Sequence, residues 1–114
     1  MSKISVSIVL YNTNEKRLND AINSCLNSII SVDIFLIDNS PNNNLIYLKQ
    51  DERVRYLKAQ YNGGYGVGHN LGINEFNILE NYDYHLVMNP DITFEANVIG
   101  QIIQYMEKHL TTNV

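Results

Sequence analysis

An α/β protein with a mostly parallel sheet flanked by helices is the fold the sequence predicts, on three observations. Short runs rich in β-branched residues alternate with segments whose apolar residues recur at intervals of three and four. The run at residues 32–37 is almost continuously apolar, as a strand covered on both faces is. Each run also ends abruptly in polar or glycine residues: Tyr11-Asn12, Asp38-Asn39-Ser40, a glycine-rich stretch and Asn89-Pro90-Asp91. The resulting order, β-α-β-(α)-β-α-β-α, implies right-handed crossovers and a Rossmann-like arrangement.

The first strand is Ile4-Ser5-Val6-Ser7-Ile8-Val9-Leu10, β-branched and partly alternating. Asn12 and Glu15 have the spacing of a capping-box variant, with Thr13 and Asn14 as alternative caps, and a helix then places Leu18, Ile22, Cys25, Leu26 and Ile29 on one stripe. The second strand ends at Asp38, where a run of turn formers begins. A weak helical segment at residues 45–50 leads to a third strand at 54–57. After the glycine stretch, Leu71, Ile73, Phe76 and Leu79 mark a helix with a mixed apolar face. Residues 82–88 form the fourth strand. Residues 95–110 form the last helix, with Val98, Ile99, Ile102, Ile103, Met106 and Leu110 on one face.

The chain of 114 residues suits one domain with a true core, and no linker or repeat divides it. A net charge of −4 argues against a nucleic-acid binder that works through bulk phosphate attraction. The lone cysteine, Cys25, excludes an internal disulfide and sits at an apolar helical position, as a buried structural thiol does. No apolar run reaches the roughly 18 residues of a membrane span, and none resembles a signal peptide, so a cytoplasmic location is expected.

Five of the six glycines fall at Gly63, Gly64, Gly66, Gly68 and Gly72. Glycine gathers where the backbone needs φ > 0 or a close approach. A glycine-rich strand-to-helix connection aims backbone N–H groups and the positive end of a helix dipole at one place, so an anionic ligand is its natural occupant. The dinucleotide fingerprint fails, because its third glycine place holds His69 or Leu71. The P-loop fails because His69-Asn70 stands where Lys and Ser/Thr belong. Ligands of such sheets bind beyond the carboxyl ends of the strands, and the four polar strand ends should converge on one crevice there.

With these pieces in order and at this spacing, the chain resembles the family 2 glycosyltransferases of the GT-A fold, most closely the rhamnosyltransferase-like members. The pieces are Ile8-Val9-Leu10-Tyr11-Asn12, Ile37-Asp38-Asn39-Ser40, and the stretch from Asn62 to Gly72 ahead of Leu86-Val87-Met88-Asn89-Pro90-Asp91. The resemblance implies a nucleotide-sugar donor, carrying uridine or deoxythymidine diphosphate. Tyr11 and Asn12 would border base and ribose. Asp38 would accept hydrogen bonds from them, and Asn39 and Ser40 would shape the pocket. Asn62 and Gly64 would lie over the nucleotide, with Gly66 to Asn70 on the sugar and phosphate side. Asn89 and Asp91 match the acidic metal motif, and Asp91 would hold a divalent ion, Mn2+ or Mg2+, on the diphosphate. His69 reads as a hydrogen-bonded loop residue, and His85 and His109 receive no role.

Family members continue well past this motif into an acceptor-binding half that supplies the catalytic base. Neither Glu95 nor Glu107 is a good candidate for it. The expectation is therefore a donor-binding portion that serves surface polysaccharide synthesis at the inner face of a membrane, with a sugar or lipid-linked acceptor bound by the longer protein. Exposed sheet edges would favour self-association. A non-catalytic nucleotide-binding module with the same fold is the alternative. A nucleotidyltransferase would want a basic glycine loop after the first strand, and a receiver domain paired acids there; Tyr11-Asn12-Thr13-Asn14 is neither.

Overall fold

Alternation along the first strand decides which helices cover which face of the sheet. A computed structural model describes residues 2–40, 51–59 and 64–112. Its strands are β1 (Ile4–Leu10), β2 (Val32–Asp38), β3 (Val54–Lys58) and β4 (Tyr84–Met88), ordered β3-β2-β1-β4 with every pairing parallel. The helices are α1 (Glu15–Leu26), α2 (Tyr65–Glu75), the short α3 (Ile78–Asn81) and α4 (Val98–Thr112).

Ile4, Val6, Ile8 and Leu10 of β1 pack with Leu18, Ala21, Ile22 and Cys25 of α1 and with Ile99 and Ile103 of α4. On the opposite face Val9, Phe35 and Ile37 meet Leu71 and Ile73 of α2 and Ile78 of α3. Phe35 anchors this second layer, tilted on Phe76 with ring centroids 4.4 Å apart and edge-on to Tyr82 at 5.8 Å. Full burial of a side chain such as Phe35 or Ile37 contributes roughly 1.5–3 kcal/mol each. The parallel α/β sheet is thus as expected, with β1 and β2 in its middle.

Several elements differ in detail. Of the three candidate caps for α1, Asn14 is the one used: its side chain accepts from the Arg17 amide at 3.0 Å. Ile29 lies beyond the end of α1 and is 77 % exposed, so it leaves the predicted stripe. The helix after the glycine cluster begins at Tyr65, inside the cluster, so Gly66, Gly68 and His69 are helical rather than in a loop. That helix ends at Glu75, and Asn77 in a left-handed turn (φ 52°) separates it from α3, on which Leu79 faces outward. The last helix begins at Val98, and Ile99 and Ile103 of its predicted face are buried, while Ile102 and Met106 stay partly exposed. The helical segment expected at 45–50 lies outside the described residues.

Cys25 is buried as expected, its Sγ 3.8 Å from Met88 Sδ, and burial pushes its thiol up to about 12. Among the described residues, no helix is long and apolar enough to cross a membrane.

Candidate functional site

The carboxyl ends of β1, β2 and β3 are tied together by one polar knot. Past the last residue of β1 the chain turns through Asn12, held in the left-handed region at φ 47°, which asparagine tolerates better than most residues. This turn directs the Asn12 amide at Ser40 Oγ, 2.7 Å away. The Asn39 amide donates to the Leu10 carbonyl at 2.8 Å, extending the β1–β2 pairing by one step. The Ser40 amide donates to Asp38 Oδ1 at 2.9 Å, so Asp38 closes an Asx-turn on its own loop.

The Asp38 carboxylate is fully buried. Such a charge needs close partners, because desolvation costs several kcal/mol. Besides the Ser40 amide it has two, both on β3: the Tyr56 hydroxyl donates to Oδ2 at 2.5 Å, and Lys58 Nζ stands 3.6 Å from the same oxygen. Lys58 also donates to the Ser40 carbonyl. A ligand reaches the Asp38 oxygens only by displacing one of these neighbours. In the geometry seen, Asp38 shapes the site by holding Ser40, Tyr56 and Lys58.

Asn39 faces the other side of the sheet, and its Nδ2 donates to the Gly64 carbonyl at 3.3 Å, joining the knot to the start of α2. Gly64 is the N-cap of α2, at φ 89° and ψ 179°, a conformation open essentially to glycine alone. Among the described residues no side chain caps this helix start. The amides of its first turn therefore point outward with the positive end of the helix dipole behind them. Gly68 and Gly72 serve another purpose. A Cβ at Gly68 would stand 2.9 Å from both methyls of Val9 and 3.1 Å from Asn39 Nδ2, and one at Gly72 would stand 2.8 Å from Ile37 Cδ1. These two glycines let α2 lie directly on β1 and β2.

Asn39, Leu57, Lys58, Ala59, Val67, Gly68, Leu71 and Glu75 enclose a cleft of 460 Å³ beside this knot. A larger cavity, 760 Å³, opens at the other end of the sheet between β4 and α4. The carboxylates of Asp83 and Glu107 on its rim would repel a phosphate, and the polar strand ends are remote from it.

Of the residues predicted from sequence, Asn12, Asp38, Asn39, Ser40 and Gly64 are joined by hydrogen bonds, and Tyr11, 53 % exposed, stands beside them. Gly66 and Asn70 are exposed on α2. Asn89 and Asp91 follow β4, which pairs with β1 through Ile8 and Met88, so they emerge at the same end of the sheet, and both are exposed. Asn62 lies outside the described residues. Among the described residues no three His, Cys, Asp or Glu side chains gather closely enough to hold a metal. Asp91 offers one exposed carboxylate, a hard oxygen donor suited to Mg2+ or Mn2+ if a ligand supplies the remaining oxygens.

Tyr56 and Lys58 were not anticipated. Their signal was register: they pair with Leu36 and Asp38, so a lysine two places after a tyrosine faces the acid that ends the neighbouring strand. Ser7 of β1 and His69 of α2 also meet, where the helix covers the sheet, at 2.5 Å from Oγ to Nδ1.

The sequence pattern of glycosyl transferase family 2 matches residues 5–114. A search of curated proteins found no match. Among solved structures, the fold is similar to that of S. aureus TarS. A structure of TarS residues 1–349 superimposes with a TM-score of 0.72 at 16% identity, covering 94% of this chain and 33% of that one. A further TarS structure gives 0.75 at 19% identity, covering 94% and 20%. TarS 1–349 in complex with UDP gives 0.76 at 17% identity, covering 94% and 32%. The present chain spans a third or less of the length of each of these.

Proposed function

The chain belongs to glycosyl transferase family 2, and we propose that it forms the donor-binding portion of a glycosyltransferase that uses a nucleoside-diphosphate sugar. The observation that carries this reading is the glycine-rich start of α2, held by Asn39 against a polar knot at three strand ends. Outward N–H groups and a helix dipole suit a diphosphate. The fold's likeness to TarS in complex with UDP supports the same ligand class.

In this reading Tyr11 and Asn12 border the base and ribose, with Asn39 and Ser40 fixing the floor between them. Asp38 holds that floor in shape. Gly64, Gly66 and Asn70 face the diphosphate and sugar. Asn89 and Asp91 close the site from β4. A divalent ion, Mn2+ or Mg2+, would lie between Asp91 and the diphosphate, where it would neutralise charge on the leaving group. Transfer also needs a base within reach of the acceptor hydroxyl. Glu107 lines the cavity at the opposite end of the sheet, so α4 offers none there. Donor binding without transfer is the expected behaviour of this segment. The longer protein would take a sugar or lipid-linked acceptor in surface polysaccharide assembly at the cytoplasmic face of a membrane. The rhamnosyltransferase-like form of Asn89-Pro90-Asp91 favours a deoxythymidine diphosphate donor. Self-association would use the outer edge of β4, which has no strand partner among the described residues.

Calorimetric titration of uridine and deoxythymidine diphosphates, with and without manganese, tests this reading. Metal-dependent binding that disappears in Asp91→Ala is expected, and the tighter nucleotide names the base. Absence of binding under every condition would count against a self-sufficient donor site.

A further inference from the structure

Ser5 and Ser7 of β1 are fully buried on the face covered by α2, although a parallel strand at this place would ordinarily carry apolar side chains. Buried hydroxyls need partners. Ser7 Oγ lies 2.5 Å from His69 Nδ1 on α2 and 3.0 Å from His85 Nε2 on β4. His85 Nδ1 lies 2.7 Å from Ser5 Oγ, which donates to the Tyr84 carbonyl at 3.4 Å.

Proton counting orients this chain. A hydroxyl has one proton to give and a neutral imidazole has one N–H. Ser5 gives its proton to the Tyr84 carbonyl, so His85 carries its proton on Nδ1 and donates to Ser5. His85 Nε2 is then an acceptor and takes the Ser7 proton. Ser7 Oγ is left to accept from His69 Nδ1–H. This arrangement uses all four contacts, whereas the reverse direction loses the one to Tyr84. Burial holds both rings neutral: it lowers His69 to about 4, with His85 adding to the effect, and it lowers His85 as well.

The chain joins two walls of the site. His69 directly follows Gly68, where α2 touches β1 without a side chain of its own, and the apolar grip of α2 comes later, from Leu71 and Ile73. His85 lies on β4, whose end leads into Asn89 and Asp91. We propose that His69, Ser7, His85 and Ser5 form a cross-brace that sets the position of the start of α2 relative to β4, which makes Ser7, His69 and His85 positioning residues for the ligand site. The brace is a property of the fold; its effect on ligand rests on the donor-site reading.

The test begins with nitrogen-15 spectra of the imidazole rings at pH 7.5 in the full chain without ligand. Both rings should be neutral with the proton on Nδ1, the less common tautomer of free histidine. Ser7→Ala, which removes only a hydroxyl, should then raise amide exchange about ten-fold in both α2 and β4, the loss expected from one buried hydrogen bond. Ser5→Ala should raise it in β4 alone. If the wild type binds uridine diphosphate, Ser7→Ala should weaken that binding about ten-fold. A proton on Nε2 of either ring overturns this proton order, and an exchange change confined to β1 overturns the brace. Equal nucleotide affinity of wild type and Ser7→Ala overturns the positioning role. A wild type that binds no nucleotide counts against the donor site, and the amide exchange still decides the brace.

Discussion

Adding one methyl group at two places on α2 should move stability in opposite directions. Gly66 and Gly68 are two residues apart on the same helix. Among the described residues an added Cβ at Gly66 meets nothing within 4 Å, so Gly66→Ala replaces a poor helix former by the best one. That is a gain of up to about 1 kcal/mol. Gly68→Ala has the same gain, but its Cβ would stand 2.9 Å from both Cγ1 and Cγ2 of Val9. Ordinary carbon contacts are about 3.5–4.0 Å, so the deficit is roughly 0.6 Å or more. Val9 cannot relieve it by rotation, because either methyl meets the newcomer and β-branched χ1 wells are stiff. The helix must lift, which stretches an Asn39–Gly64 bond already 3.3 Å long. Overpacking of this kind costs about 1–3 kcal/mol, so against that gain Gly68→Ala should be a net loss of up to roughly 2 kcal/mol. The two variants should melt roughly 10 °C apart, Gly66→Ala above wild type and Gly68→Ala below it, followed by circular dichroism and checked by urea unfolding. A Gly68→Ala protein as stable as wild type would refute the argument that this glycine exists for close approach.

Three further outcomes follow from the buried polar groups. His69 is depressed from its usual 6.5 to about 4, and His85 is depressed as well, so the unfolded chain takes up protons first as pH falls. The stability due to neutral His69 is complete above pH 6.5 and should be lost progressively down to pH 4, by up to about 3 kcal/mol; urea midpoints that stay flat across this window would contradict it. Tyr56→Phe should cost about 1–3 kcal/mol, measured by urea unfolding, because it removes a hydroxyl from a fully buried carboxylate. Cys25, held near 12, should react with a disulfide reagent at pH 8 only as fast as the protein opens, so its rate should track added urea.

The sheet was legible because strands buried on both faces announce themselves by composition, and the polar strand ends because little else interrupts such strands. Gly68 and Gly72 misled for a physical reason. Glycine is the second-worst helix former, so a cluster of it reads as loop, although its spacing of four is that of one helix face. What overrides propensity is contact with Val9 and Ile37, which exists only once the sheet is assembled. Tyr56 and Lys58 were hidden similarly, since their partnership with Asp38 depends on strand register. Ile29 and Leu79 fitted helical spacing but fall beyond an element end or on the outer side of a single turn.

The position of β1 between β2 and β4 sets a timetable for the nascent chain. All seven of its residues are buried in the finished fold, yet the bond from the Lys3 amide to Asp83 that borders its far side spans 80 positions. At 5–20 residues per second, roughly 4–16 s of synthesis separate the first strand from its last neighbour. Throughout that interval one edge of β1 lies open, and Ser5 and Ser7 are the only polar side chains along it. The pair that later receives the imidazoles of His69 and His85 is thus also what breaks the apolar run of the waiting strand.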